Sequence, residues 1–498
     1  MKALLINPPQ RYYQRSLEFN SYIPIGLLSI ASLARRVCQV QILDCLVEGF
    51  AEQKAGAATL YGMPFSLIEG RIREYKPDVV GITTPFCTQG TLALGVAEIC
   101  KKVNPGAPVV FGGPDASVRY AYFLGQGWCD FCVLGEGEYA FSELLWSLKS
   151  GSSFEHIKGL AFKKDGRLHC NPQEPIARLD ELPFPAYDLI ALKDYFKSPY
   201  FYRNRSLINE RSLSMITSRG CPNNCIFCTI HLHMGRRYRA HSPEYVFNHL
   251  KYCVDNYKVR NFHFEDDNLI YDKERFHAVL DRISGAGLKI RWDTPNGVDV
   301  TRLDLDLLKK MKKTGCRRLT IAIESANQDI LREVINKNLS IEHALRVAQW
   351  CKQLRLNLTA AYVIGFPGET LKDMRETMEL ALSLYERCDV QPWLQFVAPF
   401  YGTRLFELCR EKGFIPDELT EEDLSCACQV WGDPLIATPD FSRQDLDSLR
   451  KGYIAAKRRV SLKYYARHPF FTLGRLVKKP RYGNTPLKDI PAMLYKNL

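Results

Sequence analysis

Cys221, Cys225 and Cys228 stand in the stretch TSRGCPNNCIFCTI, three thiols at CxxxCxxC spacing directly after a short apolar run. The set supplies three soft ligands and stops there. A closed structural zinc site takes four ligands, and a fully ligated cubane cluster takes one thiolate per iron. Three thiolates on one tight loop therefore suit an iron–sulfur cubane with one iron left open, and an open metal position is where chemistry is done. Two other uses compete: a Cys3His zinc site that recruits His231, and a disulfide between two of the thiols. Zinc sites usually pair two separated ligand knuckles, and no CxxC lies downstream to supply the second.

The elements that must position this loop can be read on both sides of it. From Ser214 onward, apolar strand patterns alternate with helical ones: SMITS, NFHFED, IRWDTPNG, RLTIAIES, LTAAYVIG and PWLQFVAPF. Such alternation predicts parallel strands joined by helices, with reactive groups at the strands' carboxyl ends. Those ends carry Glu265-Asp266-Asp267-Asn268, Asn296 and Asp299, Glu324-Ser325, and Gly365-Phe366-Pro367-Gly368-Glu369-Thr370. A helix cap is the competing use of Asp267 or Asn268, though a solvated cap does not require consecutive acids, while Glu369 and Thr370 are equally suited to capping the next helix. His231, His233 and His241 follow the cysteines among Arg236, Arg237 and Arg239, a set that reads either as a basic surface helix or as an anion contact. Cys426 and Cys428 form a CxC near Trp431; buried inert thiols are the simpler reading.

Residues 1–150 show the same alternation, with strands KALLIN, VQILDC, DVVGITT, PVVFGG and FCVLGEGE and helices expected over 26–36, 64–75, 91–103 and 139–150. A parallel sheet with helices on both faces binds ligands beyond its carboxyl edge. That edge is rich in glycine and small polar groups: Thr83-Thr84-Pro85, Gly112-Gly113-Pro114-Asp115 and Gly135-Glu136-Gly137-Glu138. Residues 151–205, with a polar hairpin (GLAFKKDGRLHC) and the proline-bearing ELPFPAYDLI, read as a wrap-around connector.

The cysteine loop and the strand ends after it resemble those of the radical S-adenosylmethionine (SAM) enzymes. The resemblance implies a partial (β/α)6 barrel over 206–415. It also implies a [4Fe–4S] cluster on Cys221, Cys225 and Cys228 whose open iron chelates SAM, and Phe227 near the adenine. Asp266 and Asp267 match the acids that meet the SAM amino group. Glu324 and Ser325 match the ribose and carboxylate contacts, and Gly365 the turn approaching the adenine. Ala326 stands where that family usually has glycine. The NPP opening, the GGPD turn and the GEGE turn resemble the Rossmann-like, doubly wound cobalamin-binding domain that precedes the barrel in one large class of these enzymes. On that resemblance Gly112, Gly113, Glu136 and Gly137 are cobalamin-binding, and residues 84–88, Thr84 among them, face the lower side of the corrin. The DxHxxG motif is absent and residues 1–150 hold no histidine, so no imidazole of this domain can ligate cobalt. The competing view is a degenerate domain without cofactor.

The implied activity is C-methylation of an unactivated carbon. One SAM methylates cobalamin, a second is cleaved to the 5′-deoxyadenosyl radical, and the methyl group passes from cobalt to the substrate. A cyclase or oxidative rearrangement with the same cofactors, on a tetrapyrrole or lipid, is the alternative, and a zinc-bound interaction module the non-catalytic one. The substrate class (small molecule, lipid or peptide) is open; an external one-electron reductant such as flavodoxin or ferredoxin is implied.

The 498 residues are too many for one core. No secretory signal is read at the start, no apolar stretch near it is long enough to span a bilayer, and seventeen cysteines then point to a reducing cytoplasm. The net charge of +12 is carried by residues 450–498, which hold thirteen Lys/Arg against Asp489 alone. The C-terminal extension over 416–498 is expected to be helical, with its basic face either packed on the barrel with arginines outward or set against an anionic partner or membrane surface. Nucleic acid is disfavoured, since no RNA-binding signature accompanies the basic residues.

Overall fold

The computed structural model describes residues 1–13, 19–198, 200–201, 211–428 and 432–467. Its first sheet has seven strands. Spatial order runs Arg167–Cys170, Leu160–Lys164, Phe131–Val133, Val109–Gly112, Val79–Thr83, Lys2–Asn7 and Gln39–Asp44. The last five are mutually parallel. Period-two alternation divides the first strand between two helix layers. Ala3 and Leu5 pack with Leu27, Leu28 and Phe141 on one face, while Leu4 and Ile6 pack with Ile68, Ala93 and Val96 on the other. Both faces being covered, the strands read as nearly continuous apolar runs.

Two sequence expectations change here. The hairpin read as a connector, Leu160–Lys164 with Arg167–Cys170, is part of this sheet, running antiparallel beside Phe131–Val133. Its outer strand is largely exposed, as an edge strand permits. A helix not expected from the pattern, Pro114–Gly125, follows the GGP turn; it is interrupted at Arg119, which blurs its periodicity.

The second sheet has six parallel strands in chain order: Ser212–Met215, Asn261–Phe264, Arg291–Asp293, Cys316–Glu324, Asn357–Ile364 and Gln391–Phe396. Each neighbour being the next in the chain, the sheet is the arc of a partial barrel, as expected. Its helices are Pro243–Tyr257, Lys273–Gly285, Leu305–Lys313, Ile341–Leu354, Leu371–Cys388 and Arg404–Glu411. They start at Ser242, Asp272, Asp304, Ser340, Thr370 and Thr403, whose side chains each accept a backbone N–H of the first turn. Trp292, wholly buried, meets Phe264 edge-on at 5.3 Å and donates its indole N–H to Thr314 O. The apolar core is continuous from this barrel into one helix layer of the first sheet.

The described part of the C-terminal extension holds two helices, Glu421–Ala427 and Arg443–Arg467, joined by irregular chain. The latter packs on Leu371–Cys388, with Lys463 paired to Glu386 at 3.1 Å. Trp431 and residues 468–498, most of the basic tail, lie outside the described residues. Among the described residues no helix is long and apolar enough to cross a membrane.

Candidate active site

The cysteine loop follows the short strand Ser218–Arg219 and is pinned from several sides. Gly220 N–H donates to Asp267 Oδ2 at 2.9 Å, Ile226 N–H to Ile335 O at 3.0 Å, and Leu405 N–H to Ile226 O at 3.0 Å. The three thiols are half-buried and free. Burial pushes Cys225 up to about 12 and Cys228 up to about 11, so these sulfurs keep their protons until a metal displaces them. Among the described residues no three His, Cys, Asp or Glu side chains gather about a single metal-ion position. Thiolates of a cubane each bind a different iron and need not converge on one point.

The acidic strand end is divided in its roles. Asp266 Oδ1 accepts from Thr217 N, Thr217 Oγ1 and Ser218 Oγ at 2.9, 2.7 and 2.6 Å, tying the strand end to the approach of the cysteine loop. Its Oδ2 is buried without a hydrogen-bond partner. An orphaned buried carboxylate oxygen is costly, and an ammonium group beside it would supply the missing donor. Asp267, pushed up to about 6 mainly by burial, caps no helix; neither does Asn268, whose amide donates to Cys221 Sγ at 3.6 Å. Asn296 donates to Glu265 O, and Asp299 caps a single turn at Thr301.

Glu324 sits at φ +67, in the left-handed region that non-glycine residues rarely occupy, where the strand register also shifts. Strain of this kind gathers at functional sites. Its carboxylate takes Lys337 Nζ at 2.8 Å, and the same Nζ donates to Ala322 O at 2.7 Å. Burial opposes the Lys337 charge, yet Glu324 and the nearby Cys225 sulfur hold its pKa above the ordinary lysine value. Sequence reading missed Lys337. It is delivered by a π-turn over Ile330–Val334 and by Asn336 at φ +60, neither of which leaves a spacing signal. Ser325 is fully buried, its hydroxyl accepting from Asn327 N–H and lying 3.4 Å from Thr377 Oγ1.

Gly365, at φ +91, opens the turn after the fifth strand. Glu369 closes that turn, with Oε2 accepting from Gly365 N–H and Phe366 N–H at 2.7 and 2.8 Å; Oε1 is buried without a partner. The helix cap is Thr370, in a capping box with Asp373. Phe227 meets Phe366 at 5.6 Å, joining the cysteine loop to this turn in an apolar contact suited to a flat ring.

On the first sheet, Thr84 is buried and braces the glycine turn: its N–H and hydroxyl donate to Gly112 O, and its Oγ1 accepts from Ala116 N–H. Gly113, at φ +106, could carry no side chain without crowding Thr84 O. Phe86 is 51% exposed in the loop that follows Thr84. A glycine turn and an uncovered aromatic at a carboxyl sheet edge fit a broad planar ligand.

The two halves meet at the cysteine loop. Glu136 Oε1 takes Arg219 Nη1 at 3.1 Å, Glu136 Oε2 takes Arg239 Nη1 at 2.6 Å, and Glu138 Oε1 takes Arg219 Nη2 at 2.6 Å. The side chain of Glu136 is thus engaged by arginines, while Gly137 opens the helix Gly137–Ser150 against Ile30. The residues trailing the cysteines are no basic surface helix. Arg239 and His241 are buried, and burial lowers His241 to about 4 beside Asp180 and the ring of Tyr245. His233 is held by Thr229 O, and Arg236 by Asn224.

Such an arrangement, three thiols on a braced loop beside strand ends where Asp266 and Glu369 each keep one buried oxygen without a donor, suits a cluster and a small cationic ligand. The Radical SAM superfamily profile matches residues 215–381, and the B12 binding domain profile residues 19–145. An uncharacterized methyltransferase of Pyrococcus horikoshii is 30% identical over 485 residues, 96% of this chain and 97% of the relative. The cytidylyl-2-hydroxyethylphosphonate methyltransferase of Streptomyces wedmorensis is 29% identical over 84% of this chain and 83% of its own. Among solved structures, the radical SAM methyltransferase TsrM of Kitasatospora setae, with cobalamin and a [4Fe–4S] cluster bound, superposes with a TM-score of 0.64. The match covers 83% of this chain and 78% of that one at 16% identity, a likeness of fold. The chain belongs to the cobalamin-dependent radical SAM methyltransferase-like family. Its cofactors are a [4Fe–4S] cluster, SAM and cobalamin, and it works with an external reductant and a substrate.

Proposed function

We propose that this protein is a methyltransferase that places a methyl group on an unactivated carbon. When bound, the three cofactors supply a reductive cleavage of one SAM to the 5′-deoxyadenosyl radical and the relay of a methyl group from a second SAM through the corrin. The chain's residues hold and orient. Cys221, Cys225 and Cys228 would carry the cluster; Asp266, with its free buried oxygen, and Asp267 would receive the SAM amino group. Glu324 with Lys337 and Ser325 would meet its carboxylate and ribose, and Phe227, Phe366 and Gly365 the adenine. The glycine turn at Gly112-Gly113 and the loop after Thr84 would line the corrin. The supporting observation is that the cysteine loop is fastened by Arg219 to the carboxyl edge of the first sheet, which favours cofactor sites that face one another. Enclosure protects a radical from water and fixes the reacting groups near one another.

The electron would come from a protein such as flavodoxin or ferredoxin. Seventeen cysteines, none in a disulfide, support a reducing cytoplasmic setting, and the basic tail supports contact with an anionic partner or membrane surface. The test is anaerobic reconstitution with iron, sulfide and hydroxocobalamin, followed by incubation with dithionite and methyl-labelled SAM. Wild type is expected to show both chromophores and to yield 5′-deoxyadenosine, while the variant with all three cysteines changed to alanine yields none. Label that stays wholly in methionine when acceptor is present would move the assignment to a ring-forming reaction.

A further inference from the structure

Arg219 lies two residues before Cys221, on a two-stranded ribbon in which it is directly opposite Arg239. Opposed residues of an antiparallel pair share a face, and both arginines reach across it into the turn that ends strand Phe131–Val133. Their side chains are 12% and 4% exposed, those of Glu136 and Glu138 2% and 5%. Ser29 Oγ completes Glu138 at 2.8 Å, Ile176 N–H completes Glu136 at 2.6 Å, and Arg239 also donates to Ile176 O and Met234 O. Gly135 approaches so closely that an added Cβ would stand 3.1 Å from His233 O, just past the cysteines. Two buried positive and two buried negative groups thus cancel only while the turn and the ribbon are in register. Sliding either one strands desolvated charge, so positions out of register are penalised.

We propose that Glu136 and Glu138, with Arg219 and Arg239, are a clamp that couples the two cofactor sites: filling one tightens the other. The inference rests on the functional reading above. The turn Gly135–Glu138 belongs to the carboxyl edge of the first sheet, and Arg219 is held between that turn and the loop whose Gly220 is pinned by Asp267. A ligand that orders the edge orders the cysteine loop through the arginines, and thermodynamic reciprocity makes the cluster do the same for the edge.

The experiment measures hydroxocobalamin Kd for the full-length protein with and without reconstituted cluster. Wild type is expected to bind about tenfold more tightly when the cluster is present. In Glu138→Gln that ratio is expected to fall below about twofold, with iron content and the cluster-free Kd little changed. Arg219→Lys keeps the charge but loses the fork that spans two carboxylates; it is expected to lose the ratio too, and carries the test should the first variant fold poorly. A merely structural clamp would weaken both affinities alike and leave the ratio intact, and that result overturns the proposal. A wild-type ratio of one overturns the clamp alone. Wild type that takes up a cluster but no cobalamin overturns the clamp and the methyltransferase reading together.

Discussion

Asn268 gives a side-chain N–H to the sulfur of Cys221, linking the second barrel strand to the cysteine loop across 3.6 Å. With Cys221 carrying the cluster as proposed, a donor on its sulfur stabilises the more negative, reduced state, so its removal lowers the potential. Asn268→Leu is expected to retain four irons and to shift the midpoint downward by an amount on the order of tens of millivolts. An electron paramagnetic resonance redox titration reads it; an unchanged or raised midpoint contradicts the assignment.

Lys337 and Glu324 neutralise one another in a nearly dry setting, their side chains 15% and 6% exposed. Lys337→Met leaves a buried carboxylate uncompensated and is expected to cost about 3–5 kcal/mol in urea unfolding. The double variant Lys337→Met/Glu324→Gln is expected to recover part of that loss, while SAM affinity stays low in both. A single variant as stable as wild type would show that the pair is solvated and dispensable.

Glu369 is pushed up to about 8, chiefly by burial, against an ordinary value of 4.5. Its folded state therefore binds the proton more tightly, and this contribution to stability is complete below about pH 4.5 and is lost as pH rises through about 8. Glu369→Gln keeps an oxygen for the Gly365 and Phe366 amides and does not titrate. The variant is expected to match wild type near pH 5 and to exceed it in thermal stability at pH 9. A difference that does not change between those pH values rules out a titrating Glu369.

Thr370, by contrast, spends its side chain on the capping box with Asp373. Thr370→Ala is expected to cost about 1 kcal/mol with 5′-deoxyadenosine formation per cluster unchanged; a selective loss of SAM cleavage would place Thr370 in the site.

Much of this was legible in the residues because strand ends announce themselves. The cysteine loop, FEDD, ES and GFPGET each follow a strand pattern directly, and the sheet brings them together in chain order. What escaped was long-range pairing. Glu136 finds Arg219 83 residues away and Arg239 103 residues away, and no local periodicity encodes either meeting. Lys337 was invisible for a related reason: its direction is set by a left-handed Asn336, a backbone choice rather than a pattern. The small antiparallel sheet of Gln10–Tyr13, Ala58–Gly62 and Ala51–Ala55 was passed over because a segment such as AEQKA lacks apolar alternation. Glu369 and Thr370 were indistinguishable as caps until the geometry separated them.

The hairpin at Leu160–Cys170 has a practical consequence for anyone dividing this protein. Cutting the chain after Ser150 would strip two strands and bare the backbone of Phe131–Val133, whose open amides and carbonyls would recruit a neighbouring molecule. The smallest N-terminal fragment with a protected flank extends beyond Cys170, and a shorter one is a recipe for precipitation.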